Sequence, residues 1–253
     1  MITSKKLLKH KNISHGFFNS IGGNSSGIYK SLNCGIGSKD KKTKVKKNLK
    51  IAKNRISKSA NDIFLVHQIH SNRYIFLDKK LKIKKKNVKA DAIITNIRKL
   101  PIAVLTADCV PILLFDKKKN IVAAIHAGWK GAFKGIIKNV INFMIKNGCK
   151  NNHIVAAVGP CIKQKNYNVK EDFKKEFIKK NRYNKIFFKE KKNIIYFNLP
   201  NFIKFQLKSN KITKIDMIDI DTFDKKNNFF SARRSLSLKH DDYGRNISII
   251  MIN

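Results

Sequence analysis

Residues 102–131 read IAVLTADCVPILLFDKKKNIVAAIHAGWKG, and this stretch decides the fold. Ile102 to Thr106, Val110 to Phe115 and Ile121 to Ile125 are continuous apolar runs of strand length, the pattern of strands covered on both faces. Downstream, Ile136, Ile137, Val140, Ile141, Met144 and Ile145 lie on one stripe at helical period. They predict a helix from about Ala132 to Lys146, with Gly148 as its stop. Farther out, Ile63 to His70, Ile154 to Val158 and Ile247 to Ile252 read as strands. Asp40 is placed to cap a helix carrying Val45, Leu49, Ala52 and Ile56. Val169, Phe173 and Phe177 mark another helix, and Pro200 opens a third. Strands alternating with helices, some joined by short turns, mean an α/β protein with antiparallel content. No Pro/Gly/Ser-rich linker and no internal repeat divides residues 1–253, so one domain is expected.

Composition bounds the function. The chain has 253 residues with 55 Lys+Arg against 16 Asp+Glu, a net charge of +39. Only seven of the basic residues are arginine, the side chain best suited to bidentate phosphate and guanine contacts. The lysines are dispersed in short runs such as Lys84–Lys86 and Lys117–Lys119, and they accompany an excess of Ile and Asn. That is the signature of A/T-rich codon usage and a solvated surface, so no specific nucleic-acid partner is expected. The longest apolar stretch, Pro101 to Phe115, is interrupted by Asp108 and is shorter than the roughly 18 residues of a membrane helix. The N-terminus lacks the apolar segment of a signal peptide. Cys34, Cys109, Cys149 and Cys161 form no CxxC pair, which fits a reducing, cytoplasmic setting.

Reactive side chains gather where strands end: Gln68-Ile69-His70, then Thr106 to Pro111 around Asp108 and Cys109, then His126 to Gly131. Strand alternation predicts that Gln68 and His70 share a face and that His67 points away. Two imidazoles and a thiolate from His70, Cys109 and His126 make a zinc donor set with a fourth position open. The same residue types also fit a buried structural cysteine and an ordinary edge histidine. Gly128-Trp129-Lys130-Gly131 before the long helix offers backbone N–H groups to an anion. Arg233, Arg234 and Arg245 are candidate clamps. Asp91 and Asp108 are candidate proton carriers, or carboxylates orienting a ligand histidine, or plain turn residues. Trp129 is a candidate stacking surface or a core residue.

These motifs resemble the YfiH-like family, described variously as multicopper polyphenol oxidoreductase, purine nucleoside phosphorylase or peptidoglycan editing factor. The resemblance rests on Thr-Ala-Asp-Cys-Val-Pro at 106–111 and Ala-Ala-Ile-His-Ala-Gly-Trp-Lys-Gly at 123–131. His15 to Phe18, Ser31 to Gly35, Gln68 to His70 and Ala90 to Ala92 extend it. So do Gly159-Pro160, Tyr167-Asn168-Val169, Phe230 to Arg234 and Asp242 to Arg245. The resemblance implies a single-domain α/β/β/α sandwich with mixed β-sheets, a monomer, and one zinc held by His70, Cys109 and His126. It implies phosphorolysis of adenosine, inosine and S-methyl-5′-thioadenosine, and deamination of adenosine. The catalytic set would be His70, Cys109, His126 and Asp108. Substrate would meet Gln68, Asp91, Trp129, Lys130, Arg233 and Arg234. A hydrolase editing cell-wall precursors at the same site is the alternative. A multicopper oxidase needs many more clustered histidines than the seven scattered here. Ser20, Leu49 and Ala232 depart from the family pattern, and Lys130 stands where an arginine is usual.

Overall fold

The computed structural model describes residues 1–78 and 88–253. In chain order its elements are β1 (Ile13–Phe17), α1 (Lys42–Ile56), β2 (Tyr74–Leu77), β3 (Ala92–Thr95), β4 (Ile102–Thr106), β5 (Val110–Asp116) and β6 (Ile121–Ala127). Then come α2 (Trp129–Phe133), α3 (Ile136–Lys146), β7 (Ile154–Val158), β8 (Asn168–Val169) and α4 (Glu171–Lys180). The chain finishes with β9 (Phe188–Lys191), β10 (Ile194–Phe197), α5 (Leu199–Ser209), β11 (Lys214–Met217), α6 (Ala232–Ser237) and β12 (Asn246–Ile252). The run Lys84–Lys86 lies outside the described residues.

A six-stranded sheet in the order β11-β7-β5-β6-β3-β2 is the backbone of the fold. Its inner pairs are antiparallel and its two outer pairs, β11 with β7 and β2 with β3, are parallel. Successive side chains of a strand point to opposite faces. Ile112, Leu114, Ala123 and Ile125 therefore pack with Ile137, Val140, Ile141 and Met144 of α3 and Phe202 and Ile203 of α5. Leu113, Phe115, Val122 and Ala124 pack the other way, onto Ile102, Val104, Ile250 and Ile252 of a three-stranded antiparallel sheet, β1-β12-β4. That sheet turns Ala103, Ile247 and Ile249 outward onto Ala52 and Leu49 of α1. The order is helix, sheet, sheet, helix, a single-domain α/β/β/α sandwich with mixed sheets. A second sheet on one face and helices on the other explain why the strands of 102–127 are apolar without alternation. A small antiparallel sheet, β8-β10-β9, stands beside this frame.

Four local expectations are corrected. The helix expected from Ala132 is broken: Gly135, at φ +88°, separates α2 from α3. Only glycine takes that backbone conformation at no steric cost. Gly148, at φ +84°, does stop α3. Asp40 does not cap α1; its carboxylate accepts from Ser25 Oγ at 2.6 Å and Asn33 Nδ2 at 3.0 Å, tying two loops together. Val169 belongs to β8, and the helix carrying Phe173 and Phe177 starts at Glu171. Residues 63–70 form no strand; their backbone makes isolated bridges, Phe64 to Ile102 and His67 to Lys89. Gln68 supplies the reason, because its side chain takes the place of a backbone partner. Its Nε2 donates to the Leu105 carbonyl and its Oε1 accepts from the Leu105 N–H, each at 2.7 Å.

Inside the frame, His15 is 5% exposed and its Nε2 accepts from the Ser4 N–H at 2.8 Å. Burial lowers its pKa to about 4, against the opposing pull of Asp216. The unfolded chain therefore binds a proton that the folded chain refuses, and stability falls as pH drops from about 6.5 to about 4. Urea unfolding should show the native chain losing about 3 kcal/mol more than His15→Gln across that window. Equal losses in the two chains would refute this role for His15.

Candidate active site

The β5–β6 register pairs Val110 with Ala127, which sets Cys109 beside His126 and Gly128. The β3–β6 register pairs Ala92 with Ile125, and the His126 N–H donates to the Asp91 carbonyl at 2.8 Å. Two strand pairs thus carry Cys109, Asp91 and His126 to one end of the large sheet. His70 comes from the irregular 63–70 segment, at φ +56°. The buried Asp91 carboxylate captures that turn by accepting from the backbone N–H groups of Ile69, His70 and Ser71 and from Ser71 Oγ.

His70, Cys109 and His126 form the cluster, with one ligand atom of each lying within 4.8 Å of the others. Cys109 Sγ is 3.7 Å from His70 Nε2, and the two imidazoles meet edge to face at 4.7 Å. Asp91 Oδ1 holds His126 Nδ1 at 2.8 Å, leaving Nε2 for a metal. Ligands around a tetrahedral zinc stand roughly 3.3–3.7 Å apart, which follows from its bond lengths. Gly128 completes the fit: a Cβ there would stand 2.8 Å from His70 Cδ2 and 2.9 Å from Cys109 Sγ. Burial alone would raise the Cys109 thiol pKa, but His126 and His70 outweigh it and push it down. Burial would lower that of His126; the Cys109 sulfur and Asp91 push it up. Asp91 resists the upward push of burial through its bonds from His126 and Ser71 and sits at about 2. These groups favour a thiolate, the form that binds metal. The donor set fits a metal ion, and it is the group of three or more His, Cys, Asp or Glu ligands with this spacing among the described residues.

The cluster opens into a cleft of about 410 Å³ whose walls include His67, Gln68, Leu105, Tyr243 and Arg245. His67 faces this cleft and does not point away, because strand alternation does not govern residues 63–70. Ile36, Gly37 and Tyr243 also line it; Tyr243 lies in the Asp242–Arg245 motif without being singled out, and no chemical signature in the sequence marks Ile36 or Gly37.

The other expected site residues divide sharply. Neither Asp91 nor Asp108 lines the cleft. Asp91 orients His126. Asp108, at φ +81°, accepts from Thr222 Oγ1 at 2.7 Å, Ser231 Oγ at 2.9 Å and the Arg233 N–H at 2.7 Å. Burial raises its pKa against those bonds. Its carboxylate thus joins three chain segments instead of facing the cleft as a proton carrier. Gln68 reaches the cleft but is occupied with Leu105. Trp129 packs edge to face on Phe173 at 4.9 Å, and Lys130 lies over its ring. The α2 helix after Gly128 has only five residues, so it offers no helix-terminus anion site. Arg234 is a structural clamp: its guanidinium donates to the carbonyls of Thr222, Phe223 and Phe229. Arg245 is held by Asp242 and the Tyr243 carbonyl. Leu49 packs in the core against α1's own sheet, and Ser20 bonds to Asn228.

Comparison with known proteins agrees with this architecture. A purine nucleoside phosphorylase of Rickettsia prowazekii is 32% identical over 249 residues, covering 98% of this chain and 99% of its own. An adenosine deaminase from an unknown prokaryote is 36% identical over 125 residues, covering 47% of this chain and 48% of its own. The crystal structure of Bacillus licheniformis YfiH superposes with a TM-score of 0.87 at 26% identity, covering 95% of this chain and 93% of that one. The family model described as multi-copper polyphenol oxidoreductase laccase matches residues 14–253, and the chain belongs to that YfiH-like family.

Proposed function

We propose that the protein is a zinc-dependent purine nucleoside enzyme. It would phosphorolyse adenosine, inosine and S-methyl-5′-thioadenosine, and deaminate adenosine. One observation carries the reading: the His70–Cys109–His126 cluster, braced by Asp91, stands in a cleft of about 410 Å³. That size falls within the roughly 300–1,000 Å³ typical of small-molecule sites. The full-length relative named as a purine nucleoside phosphorylase supports the substrate class.

In phosphorolysis a phosphate oxygen forms a bond to ribose C1′ as the C1′–N9 bond breaks, and the purine leaves with the electron pair and takes up a proton. In deamination water adds at C6 and ammonia leaves. Zinc, when bound, supplies a Lewis acid and lowers the pKa of a bound water to about 7. His70, Cys109 and His126 would hold it, and Asp91 keeps His126 in the tautomer that presents Nε2. Gln68 holds the 67–70 wall against β4, and Arg245 and Tyr243 also line the cleft. Cytosolic placement and a monomeric state accompany this reading. Three histidine-and-cysteine donors suit one zinc and not a set of coppers.

The test is a chromatographic assay of zinc-loaded protein with adenosine, inosine and methylthioadenosine, with and without phosphate. Phosphate-dependent release of free base and phosphate-independent ammonia from adenosine are expected. Absence of both reactions would overturn the reading.

A further inference from the structure

Three arginines approach the site, and they differ in what their guanidinium groups have left to offer. Arg234 spends Nη1 and Nη2 on three backbone carbonyls. Arg245 directs both toward Asp242 Oδ1 at 3.4 Å. Arg233 differs. Its Nη1 alone is engaged, donating to the backbone carbonyl and the side-chain oxygen of Asn168. Among the described residues, its Nε and Nη2 have no protein acceptor and no carboxylate forms an ion pair with it. Nε and Nη2 are the parallel pair of N–H groups that grips an oxyanion with two hydrogen bonds. The Asn168 contacts hold the planar group in one orientation, and the Tyr167 ring backs it at 5.3 Å. Its backbone N–H is anchored on buried Asp108, the neighbour of Cys109.

This guanidinium lines a second cleft, of about 650 Å³, with Trp129, Tyr167 and Phe173. The cleft adjoins the cluster. Trp129 follows Gly128, where a Cβ would clash with His70 and Cys109. Burial raises the Tyr167 phenol pKa, and the Cys109 sulfur close by adds to it. Lys170, Asp172 and Glu176 also line this cleft and are exposed, whereas Arg233 and Tyr167 are half-buried. No carboxylate of the cleft, Asp172 and Glu176 included, pairs with the Arg233 guanidinium.

We propose that Arg233 binds the inorganic phosphate used in phosphorolysis, through Nε and Nη2, in this second cleft, while the nucleoside occupies the cleft lined by His67 and Arg245. The proposal rests on the nucleoside phosphorylase reading. It places the phosphate and the nucleoside in two clefts that border one cluster.

Zinc-loaded wild type, Arg233→Gln and Arg233→Lys are to be compared. With inosine saturating, KM for phosphate should rise about tenfold or more in Arg233→Gln, whereas KM for inosine should stay within about threefold. Arg233→Lys, which keeps a point charge but loses the fork, should fall between. Inorganic phosphate alone should raise the Tm of the wild type and not that of Arg233→Gln. An unchanged phosphate KM, or phosphate and inosine KM rising together, would overturn the proposal. If the wild type turns over no nucleoside, the enzymatic reading fails by itself. The phosphate-induced Tm shift then decides the anion site: loss in Arg233→Gln supports it, and equal shifts in both chains overturn it.

Discussion

Cys109→Ala is expected to strip the metal from the protein and to lower nucleoside turnover by about a thousandfold or more. Losing a group that merely supports a ligand typically costs roughly 10–100-fold in affinity or activity. Cys109 is a donor itself and the only sulfur in the cluster, so its removal leaves two imidazoles to hold the ion. Alanine at this position removes one sulfur from a partly exposed site and leaves the sheets around it untouched. Tm measured without metal should therefore change little, while zinc per chain falls toward zero. Full zinc content together with full turnover would show that the cluster is not the reacting centre. Metal loss with full turnover would separate the ion from the reaction and refute zinc catalysis.

Asp91→Asn is expected to damage both fold and site. The carboxylate is wholly buried and accepts five bonds, from three successive backbone N–H groups, one hydroxyl and His126 Nδ1. An amide of the same shape has one acceptor oxygen. Its NH2 must face either the 69–71 backbone donors or the His126 Nδ1–H, and both are donors themselves. Hydrogen bonds to a charged group contribute about 1.5–3 kcal/mol, and a stranded buried donor costs a similar amount, so a loss of about 3 kcal/mol in unfolding free energy is expected. Zinc affinity should drop roughly 10–100-fold as His126 loses its orienting partner. Urea unfolding checks the first effect and zinc titration against a chelating dye the second. Stability and affinity both equal to wild type would refute the bracing role. A stability loss with unchanged affinity would confine Asp91 to the fold.

Much of the architecture is legible from side-chain period alone. The runs at 102–115 and 121–127 become strands because both of their faces are covered, and that same coverage makes them apolar throughout. The stripe from Ile136 to Ile145 becomes α3 because its period matches a helix lying on one sheet face. Residues 63–70 carry an equally strand-like pattern and are not a strand. A side chain, Gln68, satisfies the β4 edge where a backbone would have done so. Period does not register such a substitution. The break at Gly135 is similar, since a single left-handed residue interrupts a stripe that continues on both sides of it.

The sequence by itself determined the α/β class, the strand and helix types of most elements, and the chemical kinds at the candidate site: two imidazoles and a thiol. Those are local properties, carried by residue type and by spacing of a few positions; the layers followed from the resemblance. The tertiary structure alone decided the division of labour among the charged residues. Asp91 and Asp108 look alike in sequence, yet one braces His126 and the other joins Thr222, Ser231 and Arg233. Arg233 and Arg234 are neighbours, yet one keeps its fork open and the other is consumed by carbonyls. A hydrogen-bonding group is defined by the partner that reaches it, and these partners lie up to 125 residues away along the chain. Only closure of the sandwich brings them within 3 Å of one another and so determines which charges remain for a ligand.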